Sequence, residues 1–279
     1  MTGSDALGDR MKEYERAGAG AKMMPLLPVM VRIDGRSFSS FTRGLKRPYD
    51  DRLSQMMIAT TEFLVKETNA VIGYCQSDEI SLVLYSDKPD TQLYFDGKHS
   101  KLTSQLAALA SVFFFRLTQE RLPPEYAAKM PTFDCRVWNV PTKEEAVNCL
   151  LWREQDATKN SVAMAARAYY SHKQLENKHG GEMQEMLFQA GINWNDYPAF
   201  FKRGTYVQRR LLSAKFTTEE LDKLPPLHHA RQNPDLVIVR SEVRVIDMPP
   251  IARVVNRVGV VFHGLDPIKR EVQEVEVIA

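Results

Sequence analysis

Apolar and polar positions along the chain alternate between two periods, and the switches mark its elements. The run Val29-Met30-Val31-Arg32-Ile33 followed by Asp34-Gly35 reads as a strand stopped by an acid and a turn residue. Val71 to Cys75, then Gln76-Ser77-Asp78-Glu79, then Ile80 to Tyr85 reads as strand, short acidic turn, strand. Between them Leu53, Met56, Met57, Thr60, Phe63 and Leu64 keep helical spacing, with Pro48 barring an earlier start and Asp50 or Asp51 able to cap. Leu102, Leu106, Leu109, Phe113 and Leu117 line one face of a long helix that Pro123-Pro124 ends. Thr132 to Val140 is a further strand closed by Pro141, and Lys143 to about Leu175 a second helical segment with a break expected near Asp156. Beyond Pro225-Pro226 the pattern turns β-rich, with strands expected at Leu236–Arg240, Val243–Ile246 and Val258–Phe262. Strand, helix, hairpin, helix, strand predicts an α+β protein built on a βαββαβ antiparallel sheet, the ferredoxin-like palm arrangement. The expected segments are a mobile lead-in (1–27), the palm (28–145), a helical and basic region (146–226) and a small β-rich C-terminal extension (227–279).

Composition changes this picture little. The 279 residues are 44% hydrophobic and 26% charged, ordinary for a soluble globular protein. A net charge of +2 means that any affinity for nucleic acid must come from local clusters. Cys75, Cys135 and Cys149 have neither metal-ligand spacing nor an even disulfide framework, which fits buried reduced thiols in a cytoplasmic protein. Glu13 and Glu15 stand where a secretory leader would be apolar. The most apolar stretch, Leu106 to Phe115, is about half the ~20 residues that a membrane span needs, so no membrane partner is expected.

The chemistry concentrates where the strands end. A carboxylate at one strand end, Asp34, facing Asp78 and Glu79 in a hairpin turn is a way for a sheet to hold divalent cations. Mg²⁺ takes one or two protein carboxylates and leaves its other positions to water and phosphate. Two such ions can clamp the attacking and leaving oxygens of a phosphoryl transfer. A solvated acidic turn is the plainer alternative. Arg36-Ser37-Phe38-Ser39 offers amides, hydroxyls and a cation just beyond Asp34, the donors that phosphate oxygens accept from. Lys98 and Lys101 open the long helix where its dipole disfavours cations, which fits either a phosphate ligand or solvated surface. Trp152, Arg153, Asp156, Lys159, Asn160, Arg167 and Lys173 give the second helical segment a donor-rich face. From Phe200 to Lys215 five cations, Lys202, Arg203, Arg209, Arg210 and Lys215, occur with no acid and with Phe201 and Tyr206 interleaved. That composition suits a nucleic-acid contact, or a charged sheet edge.

Taken together these segments resemble the tRNA-His guanylyltransferase family, polymerases that extend RNA in the 3′-to-5′ direction. The resemblance rests on six stretches in the family's order, spanning roughly residues 28–206: Arg32-Ile33-Asp34-Gly35-Arg36-Ser37-Phe38, Lys46-Arg47-Pro48-Tyr49-Asp50, Gln76-Ser77-Asp78-Glu79-Ile80-Ser81, Phe133-Asp134-Cys135-Arg136, Trp152-Arg153-Glu154-Gln155-Asp156 and Phe201-Lys202-Arg203-Gly204-Thr205. It implies a polymerase-like palm, tetrameric assembly and two Mg²⁺ ions. Asp34 and Asp78 would be metal ligands, with the Gly35 carbonyl assisting and Glu79 beside them as a third catalytic acid. Asp34 to Ser39, Ser77 and Asp78 would bind nucleotide, and Lys46, Lys101 and Arg136 would meet the triphosphate or the RNA 5′ end. Lys98, Arg153, Lys159, Asn160, Lys202, Arg203, Arg209 and Arg210 are the expected RNA contacts. ATP would adenylate a 5′-monophosphate on tRNA, and the 3′-hydroxyl of GTP or another nucleoside triphosphate would then displace AMP.

One departure matters. Where members acting on tRNA-His carry His-Ile-Asn-Asn, this chain has Thr158-Lys159-Asn160-Ser161, and Thr158 has no titratable nitrogen. The pattern is more similar to the guanylyltransferase-like branch, which repairs truncated tRNA 5′ ends by templated addition. The alternatives are untemplated G addition to tRNA-His, an inactive palm that binds RNA, and a palm-type nucleotide cyclase. Three clustered acids argue against the inactive palm, and the basic tract at 202–215 against the cyclase.

Overall fold

The computed structural model describes residues 6–233 and 235–270; the start of the lead-in (1–5), position 234 and the end of the C-terminal extension (271–279) lie outside the described residues. Six strands form one antiparallel sheet: β1 (Val29–Gly35), β2 (Ile72–Gln76), β3 (Glu79–Leu84), β4 (Phe133–Asn139), β5 (Thr205–Lys215) and β6 (Val237–Ile246). Their spatial order is β4-β1-β3-β2-β5-β6. The first four reproduce the expected ferredoxin-like order, and β5 and β6 continue the sheet beyond β2.

Side-chain alternation on β1 divides the molecule into two layers. Val29, Val31 and Ile33 face α2 (Asp51–Thr68) and α3 (His99–Arg121), where they join Met56, Leu64, Leu106 and Phe114 in one buried cluster. Met30 faces the other way, onto α4 (Lys143–Arg167), with Val83, Val147 and Leu150. The buried Asp50 caps α2 by accepting from the Arg52 amide at 3.0 Å, and the Arg52 side chain holds its carboxyl below the usual range.

Elsewhere local patterns lost to tertiary ones. The stretch read as a strand at Val258–Phe262 is a helix, α5 (Arg257–His263), started at Asn256 and closed by the left-handed Gly264. A short β-branched run does not separate strand from helix by period; the left-handed Gly264 ends the helix, while the Asn256 side chain bonds to Asp266 and Ile268 and caps nothing. Val260 and Val261 bury themselves against the α4 layer. The two strands expected at 236–246 are one, because β6 pairs with β5 along its whole length from Val237 to Ile246. No break occurs near Asp156: its carboxylate accepts from Arg153 at 3.1 Å and from Asn160 at 3.2 Å, ties that run along α4 instead of ending it.

The lead-in contains a helix, α1 (Ala6–Ala19), none of whose residues is buried. The chain after it is docked at the far end of the sheet: the Met23 amide donates to the Gly97 carbonyl at 2.8 Å and the Met24 amide to Asn139 Oδ1 at 2.8 Å.

Candidate active site

Register brings the acids together. Asp34, near the end of β1, lies directly opposite Glu79 on β3 and opposite Asp134 on β4. Directly opposed residues share a face of the sheet, so three carboxylates form a transverse row on the α4 side. One step back the same strands carry Arg32 opposite Arg136 and Ser81. Asp78 sits in the β2–β3 turn, and its carbonyl accepts from the Gly35 amide at 3.0 Å, tying the turn to the end of β1. Gly35 is needed there, since a Cβ would lie 2.3 Å from the Phe38 ring.

The acids have different neighbours. Glu79 is buried and grips Arg153 through two bonds of 2.6 and 2.7 Å, with Arg32 Nε 3.9 Å away. Arg136 lies 3.5 Å from Asp134 and 4.0 Å from Asp34. Asp78 forms no ion pair with a lysine or arginine among the described residues. Burial pushes its carboxyl above the ordinary range, a bond from Ser77 opposes this, and the charges of Asp34 and Glu79 push it up further. Among the described residues no three His, Cys, Asp or Glu side chains converge as a metal cluster. Two carboxylates and a backbone carbonyl are therefore what the protein itself can offer a cation. That donor set fits Mg²⁺, whose remaining positions go to water and phosphate.

Asp34, Gly35 and Ser77-Asp78 border a cleft of about 660 Å³, a size that suits a nucleotide. One wall is the segment from Phe38 to Ser54, and the other comes from the last turns of α4 with Phe200 and Phe201. Ser39 and Lys46 line it, while Phe38 lines it from the core side, its ring packed 5.0 Å from those of Phe41 and Phe133. Ser37 starts the short helix Phe38–Phe41 in a left-handed conformation. Arg36 is exposed, outside the cleft lining, and its amide donates to the Thr132 carbonyl at 2.8 Å. Lys129 clasps this wall from behind, its ammonium donating to the Phe41 carbonyl at 2.8 Å.

Several sequence-derived candidates stand elsewhere. Lys98 and Lys101 lie at the end of α3 that docks on the lead-in, through the Lys22–Lys98 bridge, while Ser111 and Phe114 farther along α3 reach the Phe133 end of β4. The structure does not bring them to the cleft. Arg153, expected at an RNA surface, is buried because Glu79 and Asp156 use its donors. Lys159 and Asn160 are exposed on α4. The basic tract is largely occupied within the protein. Lys202 donates to the Asn195 carbonyl, Arg209 to Lys66 and Asn69, each at 3.3 Å, and Arg210 to the Gly264 and Leu265 carbonyls beyond α5. Arg203 lines a second cavity of about 790 Å³. The adjoining Gly204 has φ +79°, and a Cβ there would lie 2.5 Å from the Cys75 carbonyl.

Sequence reasoning missed Arg43, Arg47 and Arg167, which line the cleft with Lys46. The first two were visible as a basic run around Lys46. Arg167 was visible only as part of the donor-rich face of the second helical segment, and the length of α4 is what delivers it to the cleft.

A second buried acid supports the floor. Glu154 accepts from the Ile251 amide at 2.9 Å and from the Tyr206 hydroxyl at 3.0 Å. Burial raises its carboxyl above the ordinary value of 4.5, with those two bonds opposing. A raised carboxyl stabilises the fold fully below its unfolded value, and the contribution is lost as pH rises through the folded one. Glu154→Gln should therefore flatten the fall of Tm with rising pH across the acidic range, as read by thermal unfolding. An unchanged slope would exclude Glu154 as its source.

The chain matches the family model described as tRNAHis guanylyltransferase over residues 8–141. It is 31% identical over 231 residues to an uncharacterised protein of Acanthamoeba polyphaga mimivirus, covering 75% of this chain and 79% of that protein. It is 32% identical to a probable tRNA(His) guanylyltransferase of Dictyostelium discoideum, covering 65% and 75%. Among solved structures, a bacterial tRNA(His) guanylyltransferase-like protein in complex with ATP superposes with TM-score 0.74 at 32% identity, covering 93% of this chain and 98% of that one. Its counterpart in complex with GTP gives 0.68 at 32% identity over 89% and 94%. With the fold and most of the length shared, this chain belongs to the tRNAHis guanylyltransferase family of nucleotidyltransferases.

Proposed function

We propose that the protein is a template-directed 3′-to-5′ nucleotidyltransferase that repairs the 5′ end of tRNA. The observation that carries this is the meeting of Asp34 and the half-buried Asp78, which no lysine or arginine pairs among the described residues, at the edge of a nucleotide-sized cleft whose walls hold Lys46, Arg43, Arg47 and Arg167. The bacterial relatives in complex with ATP and GTP support a nucleoside triphosphate as the occupant.

In the first step an oxygen of the RNA 5′-monophosphate forms a bond to the α-phosphorus of ATP, and pyrophosphate leaves. In the second the 3′-hydroxyl of the incoming nucleotide bonds to the RNA 5′-phosphorus, AMP leaves with the bonding pair, and the hydroxyl proton is released. Asp34, Asp78 and the Gly35 carbonyl are the groups that would hold two Mg²⁺ ions, which when bound neutralise charge on the phosphoryl oxygens. Lys46 and its neighbouring arginines would orient the triphosphate by charge-assisted hydrogen bonds. Arg136, beside Asp34 on the β4 side, is placed for the RNA 5′-phosphate. Glu79 positions the row through Arg153 and is not free to ligate. The cations at 202–210 contribute mainly to the fold, leaving Lys159 and Asn160 as the RNA contacts of this group with unburied side chains on α4.

Thr158 favours templated repair over untemplated G addition: its hydroxyl donates to the Glu154 carbonyl at 2.9 Å, and no imidazole stands in its place. The deciding experiment offers a 5′-monophosphorylated tRNA lacking its first nucleotide, with ATP, Mg²⁺ and each nucleoside triphosphate in turn. Addition only of the nucleotide that pairs with the opposing base is expected. Addition of G whatever the opposing base would establish the tRNA-His activity instead, and binding without addition would mark an inactive palm. We also propose a homotetramer, to be checked by sedimentation. Among the described residues no helix is long and apolar enough to cross a membrane.

A further inference from the structure

Trp152 has no part in the two steps of the transfer. It is 53% exposed although it lies one position before the buried Arg153. The Arg153 guanidinium carbon sits 4.6 Å from the Trp152 ring centroid. That guanidinium is held by the 2.6 and 2.7 Å bonds to Glu79 and the 3.1 Å bond to Asp156. One face of the indole is thus backed by a fixed cation, and the ring remains open to solvent.

Its location follows from the helix and strand repeats. Cys149, one turn earlier on α4, packs against the same buried cluster as Trp138 of β4. One helical turn advances 5.4 Å, close to two strand residues, so Trp152 stands beside the level of Arg136. Arg136 has a side chain 55% exposed, and its acidic neighbours are no nearer than 3.5 Å. The chain Trp152–Arg153–Glu79 ends directly opposite Asp34. A flat aromatic surface and an available guanidinium therefore flank the reacting acid on the side away from the Ser77-Asp78 wall of the cleft.

We propose that Trp152 is a stacking platform for the 5′-terminal base of the RNA, with Arg136 taking that nucleotide's phosphate. This rests on the RNA-end reading above. Aromatic side chains stack on any base, so the platform would accept each 5′ nucleotide that repair exposes.

The test compares 5′-monophosphorylated tRNA carrying an intact or an abasic 5′-terminal nucleotide, using wild-type protein and Trp152→Ala. Stacking of one base corresponds to about 5- to 150-fold in affinity. Wild type should lose about tenfold or more in RNA affinity and in KM for RNA when the base is absent, with KM for ATP unchanged. Trp152→Ala should bind both RNAs equally weakly, and Trp152→Phe should restore most of the discrimination. Equal wild-type affinity for the two RNAs would overturn the proposal without needing any variant to fold. If Trp152→Ala instead changes the sedimentation of the protein while wild type ignores the missing base, the ring belongs to an interface between copies and the proposal fails. Absence of 5′-end extension by wild type on intact RNA would be a failure of the functional reading itself, a separate result.

Discussion

Asp78→Asn should lower nucleotidyl transfer by about a thousandfold or more while leaving the protein folded. Charge neutralisation at the phosphoryl oxygens is worth several kcal/mol, and each ~1.4 kcal/mol is tenfold in rate. The variant also separates chemistry from folding. Burial raises the Asp78 carboxyl, so its ionised form works against the fold at neutral pH, and asparagine removes that charge. Without divalent cations Asp78→Asn should melt at or above the wild-type temperature. Added Mg²⁺ with ATP should stabilise the wild type and leave the variant nearly unmoved, since only a ligand that binds the native state shifts the equilibrium. Asp34→Asn should lose transfer to a similar degree. Near-normal turnover by either variant in single-turnover assays would remove that residue from the reaction.

Arg153→Met should be the most destabilising substitution around the site. It leaves Glu79, whose side chain is 8% exposed, without its two hydrogen bonds from a cation and with only Arg32 Nε at 3.9 Å. Breaking such a pair from one side costs about 3–5 kcal/mol. For a chain of this size that is a fall in Tm on the order of 10 °C. Replacing Glu79 by Leu in the same protein should recover part of the loss, because the buried carboxylate is then gone and only Arg32, 19% exposed, is left as a half-buried charge. A double-mutant cycle by denaturant unfolding checks both statements. A single substitution costing less than about 1 kcal/mol would show that water already reaches the pair.

The strand ends at Asp34 and the acidic hairpin were legible because strand alternation and turn residues are local signals. The helices α2 and α3 and the start of α4 were legible for the same reason. What the chain does not print is register. Asp134 is an unremarked acid until β1 and β4 are aligned, and then it extends the carboxylate row by one. Arg153 read as a surface cation because its partner Glu79 lies 74 positions away. Arg209 and Arg210 read as an RNA face for a similar reason, since the carbonyls they satisfy belong to the end of α2 and the residues after α5. At Val258–Phe262 the stop signal of Gly264 was visible but weaker than a β-branched run, and the packing of Val260 and Val261 on the α4 layer is not a local signal.

The strand order also sets a schedule for synthesis. β1 is made first and lies between β3 and β4, so its two edges are filled by segments that leave the ribosome later. At about 5–20 residues per second, the wait from Gly35 to Asn139 is roughly 5–20 s. Through that interval one hydrogen-bonding edge of β1 lacks its final partner, so the nascent chain presents an adhesive strand to chaperones and to neighbouring polysomes. The arrival of β4 ends the exposure, and the same event sets Asp134 and Arg136 beside Asp34. A chain that stalls before residue 139 therefore lacks both its protection and its reaction centre.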